Sequence, residues 1–228
     1  MSNRLFGRKK GYPIKQEKKK KFDYIFPKLN LNLESVKNKD IFSKFPSTAD
    51  TFFLEVGFGS GEHVKWQLEN NPKTGIFCCE PYINGVANLI SSLKEKYYNR
   101  IRIMMDDAEL LLDTLPEKSI SKIFILFPDP WNKKKHFKRR FINEKIIYKM
   151  SKVMKDDGEI RISTDSSSYV AWILHHFLNS NEFVWEAKSK KDFLCKPLDW
   201  VQTRYEKKAI SSGKIPIFLI FKKEKNKQ

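Results

Sequence analysis

Residues Thr51–Glu62 read TFFLEVGFGSGE, an apolar run that ends on an acid and then breaks into three alternate glycines, Gly57, Gly59 and Gly61. A short run rich in aromatic and β-branched residues predicts a buried strand, and the glycines after it predict a tight bend into a helix near 62–70. The same rhythm continues downstream. Strands are expected at Thr51–Val56, Gly75–Glu80, Ile101–Met105, Ile120–Phe127, Gly158–Ser163, Phe183–Glu186 and Ile215–Phe221, with helices near 62–70, 82–97, 108–115, 141–155 and 166–179. In the last of these Tyr169, Trp172, Ile173, His176 and Phe177 share one apolar face, where His176 reads as a satisfied, half-buried side chain rather than a ligand. Strands and helices in alternation call for an α/β fold: a mostly parallel sheet with helices on both faces. Such sheets bind ligands beyond the carboxyl ends of their strands, so those ends are where function is sought.

With 228 residues the chain reads as a single domain over 46–228 preceded by a basic, flexible arm and irregular lead-in over 1–45, where Pro13, Pro27 and Pro46 act as breakers. The formal charge is +17, and fourteen of those excess charges lie in two short segments, residues 1–21 and 131–140. Clustering of this kind points to a polyanion; a solubility tail is the alternative for the arm. Three cysteines and four histidines make no metal-ligand spacing. No apolar run approaches the roughly 20 residues needed to span a bilayer. A soluble, cytoplasmic protein without metal is expected.

The acids at the strand ends give the ligand its chemistry. Glu62 stands where a dinucleotide-binding G-x-G-x-x-G would need its third glycine, and Glu55 just before Gly57 would repel a pyrophosphate. That carboxylate suits a cationic ammonium or sulfonium group, such as S-adenosylmethionine carries, with the backbone of Gly57 and Gly59 able to approach it closely. Glu80 lies nineteen residues after Gly61, the usual place for a partner of ribose hydroxyls. Asp106-Asp107 ends the third strand, either as an acceptor for an adenine amino group or as a helix cap. The fourth end is Pro128-Asp129-Pro130-Trp131, whose prolines hold Asp129 in a stiff extended turn. Trp131 reads as a packing anchor before a base-stacking platform. A block of Lys133, Lys134, Lys135, Lys138, Arg139 and Arg140 follows.

EVGFGSG, CCEPYINGV, DDA and above all FPDPWNKKKHFKRR resemble the bacterial tRNA (guanine-N7-)-methyltransferase family. Ser163-Thr164-Asp165 before Tyr169, and Thr203-Arg204-Tyr205-Glu206, are similar to its remaining signatures. The likeness covers about residues 50–221, departing at Lys135, where the family often carries Arg. It implies a Rossmann-like class I methyltransferase that uses S-adenosylmethionine on guanine 46 in the variable loop of tRNA. It further implies that Glu55, Glu80, Asp107 and Asp129 contact cofactor, with Asp129 also at the reaction centre. Lys133, Asp165, Thr203, Arg204, Tyr205 and Glu206 would contact the nucleotide. Asp165 reads equally as a helix N-cap, and Thr203-x-x-Glu206 as a capping box.

Guanine N7 bears a lone pair and no hydrogen, so its attack on a sulfonium methyl needs no general base, and no histidine is placed for one. Three other readings stay open at this level. An RNA methyltransferase acting on an exocyclic amine would use a similar proline corner; a nicotinamide oxidoreductase would need the missing glycine; a non-catalytic RNA-binding protein would leave the acids unexplained.

Overall fold

A computed structural model describes residues 9, 11–36 and 40–224, without the side chains of 35 and 36. The remainder of the expected flexible arm, residues 1–8 and 10, lies outside the described residues. The chain forms two compact units, Met1–Leu115 and Pro116–Gln228.

In the first unit β1 (Thr51–Val56) pairs with β2 (Thr74–Cys79), and β2 in turn pairs with β3 (Ile101–Met104). Both pairings are parallel, with Val56 opposite Cys79 and Cys79 opposite Met104, so the three strands end level with one another. β2 is buried along its whole length, as an interior strand covered on both faces must be. The helices α2 (Glu62–Asn70), α3 (Ile83–Ser92) and α4 (Ala108–Leu112) follow their strands where expected. The helix anticipated as one piece over 82–97 stops at Ser92 and resumes as a 3-10 helix over Glu95–Arg100.

The lead-in is a correction to the sequence reading. Gln16–Leu29 is a helix, α1, that buries Ile25 and Leu29 and packs on α3. After it Leu31 N–H donates to the Ile103 carbonyl at 2.8 Å, extending the β3 edge. Ile41 and Phe45 are buried as well, and Phe45 meets Phe52 and Phe77 edge-on at 5.2 and 4.8 Å. The segment thus docks on its own unit through an apolar stripe of Phe22, Ile25, Phe26 and Leu29, helical spacing that the lysines and Pro27 obscure.

In the second unit β4 (Ile120–Leu126) pairs in parallel with β5 (Met154–Thr164), and β7 (Ile217–Lys223) runs antiparallel to both β5 and β6 (Phe183–Trp185). The register slips between Ile120 and Lys122, so β5 starts four residues before the expected Gly158. α5 (Glu144–Val153) is capped by Asn143, whose side chain accepts from Ile146 N–H at 3.1 Å. α6 (Ser167–Leu178) buries Tyr169, Ile173 and Phe177, the last stacked on Phe221 at 3.9 Å between centroids. Two short helices, α7 (Lys190–Leu194) and α8 (Arg204–Ser211), complete the unit. The seven strands are mostly parallel and alternate with helices, the class that the apolar pattern predicts.

Candidate active site

Because β1, β2 and β3 end in register, Glu55, the glycine bend, Glu80 and Asp107 gather at one edge of the first unit. Gly57, Gly59 and Gly61 all take positive φ, at 72°, 57° and 78°, the left-handed region that a side chain resists. A Cβ at Gly57 would meet nothing within 4 Å, so the space beside this backbone is open. A Cβ at Gly85 would come to 2.3 Å from the Gly59 carbonyl oxygen, which is how closely α3 packs on the bend.

Each acid has a defined mooring. Glu80, 8% exposed, accepts from Gly59 N–H at 2.7 Å and Tyr82 N–H at 2.9 Å, tying the bend to the end of β2. Asp107 is the N-cap of α4, accepting from Glu109 N–H at 3.0 Å, so the capping role left open is realised. Glu55, 2% exposed, accepts from the Nδ1–H of His63 at 2.7 Å. This edge fits S-adenosylmethionine: acceptor-only carboxylates stand at three successive strand ends, and an open backbone cradle sits among them. Among the described residues, no group of acids, histidines or cysteines could hold a metal ion.

In the second unit the proline corner is framed by left-handed backbone, Phe127 at φ 51° and Trp131 at 43°. Such conformations cost bulky residues about 1–3 kcal/mol each and persist where surrounding structure holds them. Phe127 N–H donates to the Ser163 carbonyl at 2.8 Å, fastening the corner to β5. Asp129 projects at the corner and is exposed, while the protein mass around its carboxyl still raises its pKa above the ordinary aspartate value. Trp131 is a packing anchor: Arg139 lies over its ring at 5.0 Å and His136 meets it edge-on at 5.8 Å.

The basic block does not act as one surface. Lys133, Lys134, Lys135 and Lys138 are exposed, but Arg140 is 3% exposed and turned inward. Its guanidinium donates to the Pro130 carbonyl at 2.9 Å and to the carbonyl and hydroxyl of Ser168 at 3.2 and 3.1 Å, and it lies 3.8 Å over the Phe137 ring. Arg140 therefore braces the proline corner rather than gripping a phosphate. Asp165 is not an N-cap, a place taken by Ser166; it pairs with Lys214 at 2.7 Å. Thr203 caps α8 by accepting from Glu206 N–H at 3.2 Å, and buried Glu206 accepts from the Trp200 indole N–H at 3.2 Å. Arg204 and Tyr205, between them, face outward. His176 is half-buried as expected but not satisfied: its Nε2 has no hydrogen-bond partner, and burial lowers its pKa.

The sequence matches the family described as "Putative methyltransferase" over residues 49–219. The tRNA (guanine-N(7)-)-methyltransferase of Bartonella quintana (strain Toulouse) is 40% identical over 226 residues, which is 98% of this chain and 97% of that protein. Its counterpart in Bartonella henselae is 41% identical, covering 96% and 95%. The chain belongs to the tRNA (guanine-N7-)-methyltransferase family. Among solved structures, an rRNA methylase from Streptococcus thermophilus aligns with a TM-score of 0.52 over 78% of this chain and 89% of that one, at 13% identity. The Rossmann-like class I methyltransferase fold is thus shared where sequence likeness has faded.

In this family member the residue that sequence reasoning passed over is His63. Its Nε2 accepts from the Gln67 amide at 3.1 Å, and the Gln67 carbonyl oxygen accepts from Asn71 at 2.9 Å. The signal was present as polar residues four apart on one face of α2, eight residues beyond Glu55.

Proposed function

We propose that this protein transfers a methyl group from S-adenosylmethionine to N7 of guanine in tRNA, at variable-loop position 46, in the cytoplasm. The observation that carries the reading is full-length likeness, 40% over 98% of the chain, to a protein named for that reaction. Bound S-adenosylmethionine supplies an electrophilic methyl on a cationic sulfur. Glu55 faces its positive charge, Glu80 and Asp107 accept from its ribose and adenine, and the backbone of Gly57 and Gly59 lets it lie close.

The base needs no deprotonation, so catalysis is in-line placement plus stabilisation of the charge that develops on the guanine ring. Asp129 supplies the carboxylate for that charge. Guanine is distinguished from adenine by N1–H and the exocyclic amine, which together match a carboxylate. Asp165, part-exposed and held by Lys214, suits that task better than Glu206, whose buried carboxylate serves Trp200. Arg204 and Tyr205, both exposed, are free to contact the nucleotide, and exposed Lys133 begins the lysine group assigned to phosphates.

The test is incubation with unmodified tRNA and labelled S-adenosylmethionine, followed by mapping of the labelled nucleotide. Label at guanine 46, with strand cleavage there after borohydride and aniline, is the expected result. Label that resists this cleavage would mean methylation of an exocyclic amine instead.

A further inference from the structure

We infer that His63 is the positioning residue for the cofactor carboxylate, holding Glu55 in one rotamer and one hydrogen-bonding state. The inference rests on the reading of Glu55 as a cofactor contact and adds a residue that the family's motifs do not single out in this sequence.

The arrangement is a buried polar chain inside the first unit. Glu55 Oε2 and His63 Nδ1 are 2.7 Å apart, and the two residues are 2% and 1% exposed. Gln67, 4% exposed, follows at 3.1 Å from His63 Nε2 and 2.9 Å from the Asn71 amide. Direction is set from the far end. Asn71 Nδ2 donates both to the Gln67 backbone carbonyl at 3.0 Å and to its side-chain oxygen, so the Gln67 NH2 points at His63 Nε2. Nε2 is then an acceptor, the imidazole is neutral, and its proton sits on Nδ1, donated to Glu55.

Val64 and Leu68, on the neighbouring positions of α2, are fully buried, so apolar side chains are readily accommodated on this helix. A structural role alone would be served by more of the same, without desolvating a carboxylate, an imidazole and an amide. What the chain adds is orientation. One oxygen of Glu55 is committed to a neutral donor, which keeps the negative charge on the carboxylate and assigns its second oxygen to the cationic ligand. Neutral His63 does not cancel that charge, whereas a lysine or arginine there would.

The experiment uses the full chain with unmodified tRNA, comparing Glu55→Gln, His63→Leu, His63→Asn and the double variant Glu55→Gln/His63→Leu. His63→Leu is expected to raise KM for S-adenosylmethionine about tenfold, the loss of one hydrogen bond to a charged group, with kcat and KM for tRNA within about twofold. His63→Asn, which can place an amide donor near the Nδ1 position, is expected to recover most of that loss. The double variant is expected to bind no worse than Glu55→Gln alone, because His63 acts through Glu55. An unchanged KM for S-adenosylmethionine in His63→Leu, with a raised one in Glu55→Gln, overturns the inference and leaves the cofactor reading standing. An unchanged KM in Glu55→Gln overturns the cofactor reading itself. Should His63→Leu fail to fold, Gln67→Leu removes the partner of Nε2 and leaves the Glu55 contact; it is expected to raise the same KM two- to threefold, and no rise again overturns the inference.

Discussion

Asp129 and Arg140 lie eleven residues apart in one motif and do opposite things. Asp129 stands at the open corner and is proposed to act on the reacting base, so Asp129→Asn is expected to lower the methyl-transfer rate about 100-fold or more, with the thermal unfolding midpoint unchanged. Its pKa is raised by the protein mass around it. A carboxyl raised above its ordinary value holds its proton to higher pH, so activity that requires the anion falls as pH drops through that raised value. The acid limb of the pH–rate profile should therefore lie above the range of an ordinary aspartate and disappear in the Asp129→Asn variant. Arg140 is expected to behave as a core residue. Replacing it with Ala removes the guanidinium donor from the Pro130 and Ser168 carbonyls. The expected loss is about 3 kcal/mol in equilibrium denaturation, whereas Lys138→Ala should change stability by less than about 0.5 kcal/mol.

At the scale of elements, α1 departs most from the sequence reading. A lysine-rich stretch with an internal proline reads as an arm, and its apolar positions are too few to declare a helix alone. Docking supplies the missing stabilisation: Leu29 is wholly buried, and Asn30 makes a parallel bridge with Ile103. Leu29→Ala is expected to cost about 2–4 kcal/mol by chemical denaturation, where a loose arm would give no change. The proline corner is the reverse case. Its stiffness was legible from Pro128 and Pro130, but the left-handed turns at Phe127 and Trp131 were not, since nothing local favours positive φ at bulky aromatic residues. Phe127 is held by Ser163 on β5, far along the chain, and Trp131 by Arg139 folded back over its indole.

Across the whole molecule there are 44 basic residues against 27 acids, and this surplus is proposed to set how tRNA is met. Lys19, Lys20 and Lys21 are exposed on a docked helix, and Lys133, Lys134, Lys135 and Lys138 on the second unit. Changing Lys19, Lys20 and Lys21 to Gln is expected to flatten the plot of log affinity against log salt by about 2, at unchanged stability; an equal slope would mean that this helix touches no phosphate.

What the sequence by itself determined is the class of fold, and it pointed to the strand ends as the place of a candidate site. Apolar runs of strand length, alternating with amphipathic stretches, leave few ways to bury their faces, and residues that break the pattern at strand ends stand out as chemistry. Glu55, Glu80, Asp107 and Asp129 are the candidates picked out that way. Only the tertiary structure decided which side of each residue is used. Arg140 turned inward, Asp165 took Lys214 as partner, Glu206 took Trp200, and His63 took Glu55. The physical reason is that charge and spacing are properties of the chain, whereas a hydrogen-bond partner is chosen by whichever group burial brings within 3 Å.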